Sequence, residues 1–452
     1  MIFLDALDVS MVGIALPSIQ HELGLSTSTL QWVVSGYVLG YGGLLLLGGR
    51  VADLLGRRRV FLVALAVFAV ASLLGGVVDD GALLIAARFV KGVAAAFTAP
   101  AALSIITTTF PEGPQRNKAL SIFTASGASG YSLGLVISGL LTELDWRYTL
   151  LMPVPVAVIA LVAALRVLPR PVEERPEGGH DLLGAVLVTA SMLLLVFTVV
   201  QAPEVGWASL RTIGSLVAVA ALLGLFVFAE LRMKHPLVRL GILRSRPLVR
   251  ANLGLFILMG SYVSFQFVAM QYFQNLLGWS ALGTALVFLP AGVIVALSST
   301  RVGNLADRFG TGKLIVIGAA SLAGGYAMFL GISDTPSLGG LVLPGMLLLG
   351  VAFALSFPPL NIQATNGVDD EEQGLASGLL NTSGQVGGAV VLAVVTAVLT
   401  SGGGGLSIGS LRAAIVVCLV LALVGVAISA TGLRVRKPVA VEADDLKAYE
   451  TV

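Results

Sequence analysis

Apolar runs of membrane-spanning length follow one another along the whole chain. They fall near 2–20, 31–49, 60–78, 82–108, 118–141, 148–168, 182–201, 212–230, 252–273, 280–300, 313–332, 339–360, 374–400 and 411–432. A helix needs about 20 apolar residues to cross the hydrocarbon core, so the sequence predicts an all-α integral membrane protein with fourteen transmembrane helices. Only 12% of the 452 residues are charged, half the roughly 25% of a soluble domain. The 54 glycines suit membrane helices that pack backbone to backbone. A net charge of +2 offers no footing for nucleic acid. The single cysteine, Cys418, allows no intramolecular disulfide. Cys418 and the scattered His21, His180 and His235 give no metal site.

The basic residues fix an orientation. Loops near 50–59, 116–118, 166–175, 232–250, 301–313 and 434–447 collect Lys and Arg, whereas the alternate loops hold only Arg147, Arg211 and Arg412. Positive residues favour the cytoplasmic side, so both termini are expected there, in a cell (inner) membrane. The first run lacks a basic leader and is broken by acids, unlike a cleaved signal peptide.

A weak repeat divides the chain. GRVADLLGRR at 49–58 and GNLADRFGTG at 303–312 share Gly49/Gly303, Ala52/Ala306, Asp53/Asp307 and Gly56/Gly310. Each lies between the second and third helices of a six-helix set, which makes helices seven and eight an insert. The expected organisation is an amino-terminal half (1–168), a two-helix insert (169–232), a carboxy-terminal half with a leading amphipathic helix (233–433) and a cytoplasmic tail (434–452). Parallel six-helix halves are a transporter arrangement. The basic stretch 231–250 is expected to lie as an interfacial helix on anionic membrane lipids.

Four charges interrupt the apolar runs. Asp5 and Asp8 are three apart in the first helix, and Arg88 and Lys91 are three apart in the fourth, so each pair shares a face. A lone charge at mid-membrane costs at least a few kcal/mol, and such residues usually pair and face a cavity. The acids are expected to meet the bases across a central cavity, with Asp8 as proton carrier, Asp5 as a second coupling acid, and Arg88 and Lys91 as charge partners and gate. Burial favours the neutral acid and a nearby guanidinium the carboxylate, so moving Arg88 would load or empty Asp8. A static ion pair locking the two helices is the competing reading.

These stretches resemble the major facilitator superfamily, in its fourteen-helix drug:proton antiporter branch (EmrB/QacA-like). GRVADLLGRRR matches the superfamily's loop signature. LDVSMVGIALPSI (7–19) resembles the branch's first-helix motif, with Asp8 at its acidic position. RFVKGVAAA (88–96) resembles the fourth-helix motif, with Arg88 at its arginine and Lys91 where glutamine is usual. GLASGLLNTSGQVGGAV (374–390) resembles the thirteenth helix. In the fifth-helix antiporter motif this chain has GLVISG (134–139), with Leu135 for proline and Ser138 for glycine. The resemblance implies a major facilitator fold and an inner-gate loop built from Gly49, Asp53, Gly56, Arg57 and Arg58, with Asp307 as the weaker partner site.

The expected function is proton-coupled efflux of a lipophilic small molecule (a drug, antibiotic or secondary metabolite) by a monomer, driven by the proton gradient with no cofactor. A proton symporter or facilitator for a metabolite is the alternative within transport, and a channel or receptor the alternative outside it. No nucleophile or cofactor constellation suggests an enzyme, and no Gly-x-x-x-x-Gly-Lys-Ser/Thr pattern suggests ATP-driven transport. Tyr262, Phe265, Gln266 and Met270, with Tyr37, Tyr41, Asn381 and Gln385, mix aromatic, soft and polar groups suited to apolar ligands. They are the candidate substrate contacts, with plain packing as the competing reading of each.

Overall fold

The computed structural model describes residues 1–110, 114–168, 182–233, 240–298, 301–366, 368, 373–400 and 406–434. These residues form helices and connecting turns, with no strand among them. In the amino-terminal half the helices are α1 (Ile2–Leu23), α2 (Thr27–Leu55), α3 (Arg57–Val77), α4 (Gly81–Thr109), α5 (Pro114–Leu144) and the broken pair α6 (Arg147–Leu151) and α7 (Pro153–Val167). Then come α8 (Leu182–Val205) and α9 (Leu210–Arg232). The carboxy-terminal half holds α10 (Arg246–Met270), α11 (Ala281–Ser298), the short α12 (Val302–Phe309), α13 (Thr311–Phe329), α14 (Leu343–Thr365), α15 (Gln373–Thr400) and α16 (Ile408–Thr431).

Several starts are set by side-chain caps. Ser26, Asp80, Ser209, Ser245 and Ser407 each accept a hydrogen bond from a first-turn amide, which satisfies donors that a helix leaves unpaired. Pro17, Pro100, Pro290, Pro358 and Pro359 sit inside helices, as neighbouring spans permit.

The two halves pair their helices in the same order. In the first, α1 packs on α5, α2 on α4, α3 on α4 and α3 on α7; in the second, α10 packs on α15, α11 on α14, α13 on α14 and α13 on α16. The halves meet where α5 touches α11 and α2 touches α15. Close approach is bought by glycine in both: a Cβ on Gly130 would strike the Phe3 carbonyl, and one on Gly387 the Phe256 carbonyl. The sequence repeat also has a backbone counterpart. Gly56 and Gly310 have φ 92° and 81° at the turns that open α3 and α13, a region glycine enters at little cost.

The insert lies along the seam. Its α8 packs against both α2 and α15, with Val196, Val199 and Val200 joining Leu39, Ala389 and Ala393 in one apolar cluster. Trp32 and Phe197 meet there with ring centroids 5.8 Å apart.

The helix count differs from expectation. Among the described residues, twelve helices are long and apolar enough to cross a membrane, not fourteen. The two runs outside that set are α2 and α5. They are 29 and 31 residues long, and both contain positions whose side chains lie outside the described residues, to which that set is confined. The expected amphipathic helix over 231–250 is also replaced. There α9 ends at Arg232, a 3-10 turn spans Leu240–Arg244, and α10 begins at Arg246 behind its Ser245 cap. Ser245 terminates the turn because its side chain serves α10. The 169–181 linker, positions 234–239 and the tail from 435 lie outside the described residues.

Candidate functional site

Three of the four intramembrane charges converge. Asp8 of α1 accepts from Arg88 Nη1 on one carboxylate oxygen and from Lys91 Nζ on the other. The spacing of Arg88 and Lys91 on α4 puts both on one face, and Gly92 lets that face close on α2, where its added Cβ would strike the Tyr37 carbonyl. Arg88 is further held by Nε donating to the Val33 carbonyl of α2 at 3.0 Å. Its guanidinium lies 4.6 Å from the Tyr37 ring centroid, and Lys91 Nζ lies 4.8 Å from that of Phe68 on α3. Aromatic faces attract cations, so each base has one carboxylate oxygen and one ring.

The cluster is sealed. Asp8, Arg88 and Lys91 are 0%, 3% and 1% exposed, so it sits between α1, α2, α3 and α4, inside the amino-terminal half. The expectation of two acids meeting two bases across a cavity between halves is therefore revised. Both bases go to Asp8, while Asp5, one turn earlier, is buried with neither carboxylate oxygen hydrogen-bonded among the described residues. Two basic side chains thus share one carboxylate, with Asp5 one turn away and Tyr37 and Tyr41 alongside. That arrangement binds protons or anions only if the shell opens or a helix moves.

The inner-loop residues fall at helix ends. Gly49 of α2 faces Pro100 of α4, and Gly56 makes the left-handed turn. Arg57 starts α3. Arg58 donates to the carbonyls of Leu165 and Leu168 at 3.0 and 3.2 Å, capping α7, as cations favour helix C-termini. Asp53 lies on α2 and Asp307 on α12, and their side chains lie outside the described residues.

The candidate substrate residues separate into groups. Tyr37 and Tyr41 adjoin the charge cluster, with rings 5.9 Å apart. Phe265, Met270 and Tyr262 are buried in the carboxy-terminal core. Gln266 is at the seam: it receives the Tyr131 hydroxyl at 3.1 Å, and its amide sits over Gly13 of α1. Gln385 lies against Gly42 across the α2–α15 contact. Asn381 is exposed and donates to the Ser377 carbonyl on its own helix.

Sequence reasoning missed the polar links across the seam. Besides Tyr131, Gln274 donates to the Ile14 carbonyl at 3.1 Å, Asn275 to Gln20 at 3.0 Å, and the Leu282 amide to Glu143 at 3.3 Å. Gln274 and Asn275 come from the wide π turn Gln271–Leu276 that ends α10. The last three links lie at the end of the molecule away from the Lys/Arg-rich loops. Nearby, Arg147 pairs with Glu22, Asp79 and Asp145, and Trp146 donates to Glu22 at 2.8 Å. The available signal was the polar run QYFQN at 271–275 in an otherwise apolar helix.

Comparison with known proteins follows the same outline. The family model described as Major Facilitator Superfamily matches residues 1–392. The cephamycin export protein CmcT of Amycolatopsis lactamdurans is 38% identical over 413 residues, covering 89% of this chain and 84% of the relative. The puromycin resistance protein pur8 of Streptomyces alboniger is 38% identical over 404 residues, covering 88% and 79%. Among solved structures, the human organic anion transporter MFSD10 (TETRAN) superposes with a TM-score of 0.63 at 18% identity, covering 95% of this chain and 97% of that one, a likeness of fold alone.

Proposed function

The chain belongs to the major facilitator superfamily, a family of multi-pass membrane transporters and not of enzymes, and on that premise we propose that it exports lipophilic small molecules in exchange for protons. The efflux reading is supported by relatives whose names record antibiotic export and resistance, similar over nearly the whole of this chain. The coupling reading rests on one observation above all: Asp8, fully buried in a predicted span, is held by two cations. Intramembrane ionisable residues are expensive and are functional by default. Asp8 is the proposed coupling acid, with Asp5 beside it; Arg88 and Lys91 are its charge partners. Lys91 competes with an incoming proton for the carboxylate.

The finer assignments belong to the same proposal. We count α2 and α5 as spans, since each packs against spans of both halves; this gives fourteen in a 6+2+6 order, as in the drug:proton antiporter branch. Both termini then lie on the Lys/Arg-rich face, in the cytoplasm of a cell-membrane protein. The halves rock about the seam, with Gly49, Asp53, Gly56, Arg57, Arg58 and Asp307 at the inner gate. The protein acts as a monomer among anionic lipids, with the proton gradient as its only drive.

The test is reconstitution in liposomes with an imposed pH gradient, following a fluorescent lipophilic dye, wild type beside Asp8→Asn at matched amounts of folded protein. Dye movement against the proton flow, lost in the variant, supports antiport through Asp8. Equal movement without a gradient, or in the variant, refutes it and leaves a facilitator with a structural ion cluster.

A further inference from the structure

A cavity of about 230 Å³ opens at one end of the carboxy-terminal half, far along the chain from the Asp8 cluster. It lies where α10 and α13 begin and α14 and α16 end, on the face that carries the Lys/Arg-rich loops. Its walls include Arg250 of α10, Thr311 and Gly312 of α13, Gln363 and Asn366 of α14, and Ser429 of α16. We propose that this cavity binds a single phosphate group, carried by a lipid headgroup or by free phosphate.

The charge comes from Arg250. Its Nε is buried and has no hydrogen-bond partner among the described residues. A buried donor without an acceptor is costly, and the guanidinium fork matches two phosphate oxygens. The opening turn of α13 adds to this. This 19-residue helix starts behind Gly310, which supplies no side-chain cap, so amides of its first turn are available to an anion.

Size and shape restrict the ligand. Drug-sized ligands occupy roughly 300–1,000 Å³, more than this cavity offers. An adjoining crevice, which shares Ile315, Leu360 and Ser429 with it, measures only about 20 Å³ and admits no acyl chain or ring system. The occupant is a headgroup-sized anion, with any lipid tails outside. The carbonyl-rich ends of α14 and α16 face the same space and oppose a second negative group. That favours one phosphate over a polyphosphate. Gln363 uses its Nε2 on the Pro247 carbonyl at 3.0 Å, which leaves its oxygen to accept a headgroup hydroxyl.

The proposal is tested on the detergent-purified, delipidated full chain by native mass spectrometry and thermal unfolding. The ligands are phosphatidylglycerol, diacylglycerol with the same tails, and inorganic phosphate. Wild type is compared with Arg250→Gln and with Ser429→Leu, which fills the cavity and spares the arginine. We expect phosphatidylglycerol to bind and diacylglycerol not to, with affinity falling about tenfold or more in either variant. Inorganic phosphate that raises the melting temperature of wild type only would identify the free ion as a source; its failure to do so beside lipid binding would identify the headgroup. Should Arg250→Gln not fold, Ser429→Leu decides alone. Binding of neither phosphate ligand, or binding unchanged in a folded variant, overturns the proposal.

Discussion

In the amino-terminal half, α1 turns Asp8 towards Arg88 and Lys91 of α4. In the carboxy-terminal half, the helix that pairs in the same way is α10, and it turns Phe265 towards Tyr326 and Phe329 of α13 instead, with ring centroids 5.1 and 4.8 Å apart. Tyr262 meets Phe353 of α14 at 5.4 Å, and Tyr326 donates to Ser261 at 3.2 Å. No acidic or basic residue occurs in α14. The first helix of each half thus meets ions in one half and rings in the other. Ring packing responds to shape and hardly to pH or membrane potential. A buried ion cluster responds to both, because a proton or a displaced cation changes its net charge. Under the proposed antiport, the amino-terminal half is the one placed to sense the gradient, with the ring-packed carboxy-terminal half as its counterpart.

The sharpest break between the halves is expected at Asp8. Asp8→Asn strands two buried cations, and removing one partner of a buried pair costs about 3–5 kcal/mol. Lys91→Gln should cost clearly less, because it leaves Asp8 paired with Arg88 one to one. Added to Asp8→Asn, it should recover part of the loss. Thermal unfolding of the four proteins in one detergent checks this. Equal losses for the two single variants would mean that Lys91, and not the Arg88 pair, carries the cluster.

A second prediction concerns what the halves share. Gly130→Ala and Gly387→Ala each press a methyl group onto a carbonyl of the partner helix, of Phe3 and Phe256 respectively. Overpacking of this kind costs about 1–3 kcal/mol. The two losses should agree to within about 1 kcal/mol if the halves are equivalent in backbone packing, as read by unfolding midpoints. A large inequality would confine the likeness to helix order. Smaller again is Tyr326→Phe, which removes one buried hydrogen bond to Ser261 at about 1 kcal/mol and leaves the ring stack. Transport should be unchanged, in contrast to every substitution at Asp8.

The same division explains what was legible in the sequence. The spans announce themselves because lipid demands long apolar helices, and Asp8, Arg88 and Lys91 stand out because charge is costly there. Their helix-period spacing correctly put the two bases on one face. That both would choose Asp8 and leave Asp5 without a hydrogen bond depends on how α1 sits against α4, through apolar packing such as the cluster shared by Leu4 and Ala94, which no local pattern marks. The ring cluster of the carboxy-terminal half was unreadable for a similar reason: Phe265, Tyr326 and Phe329 are ordinary membrane residues until α10 and α13 are set side by side. The Arg250 cavity joins four helix ends that no local pattern connects.

The seam between the halves tests whether the contrast matters for motion. Gln274 and Asn275 hold α10 to α1 at the end away from the Lys/Arg-rich loops, and alternating access requires those bonds to break when that end opens. Asn275→Ala removes an exposed amide bond to Gln20, about 0.5–1 kcal/mol, from the closed arrangement alone. A contact made in one state only shifts populations by its full free energy, here about two- to fivefold towards the arrangement open at that end. Tyr131→Phe removes a bond nearer the middle of the seam and should act less if that contact persists in both states. Distance distributions between spin labels on α5 and α11 would read both shifts. An Asn275→Ala population equal to wild type, with the Tyr131→Phe population changed, would move the hinge to the α1–α10 contact and make the middle of the seam the part that opens.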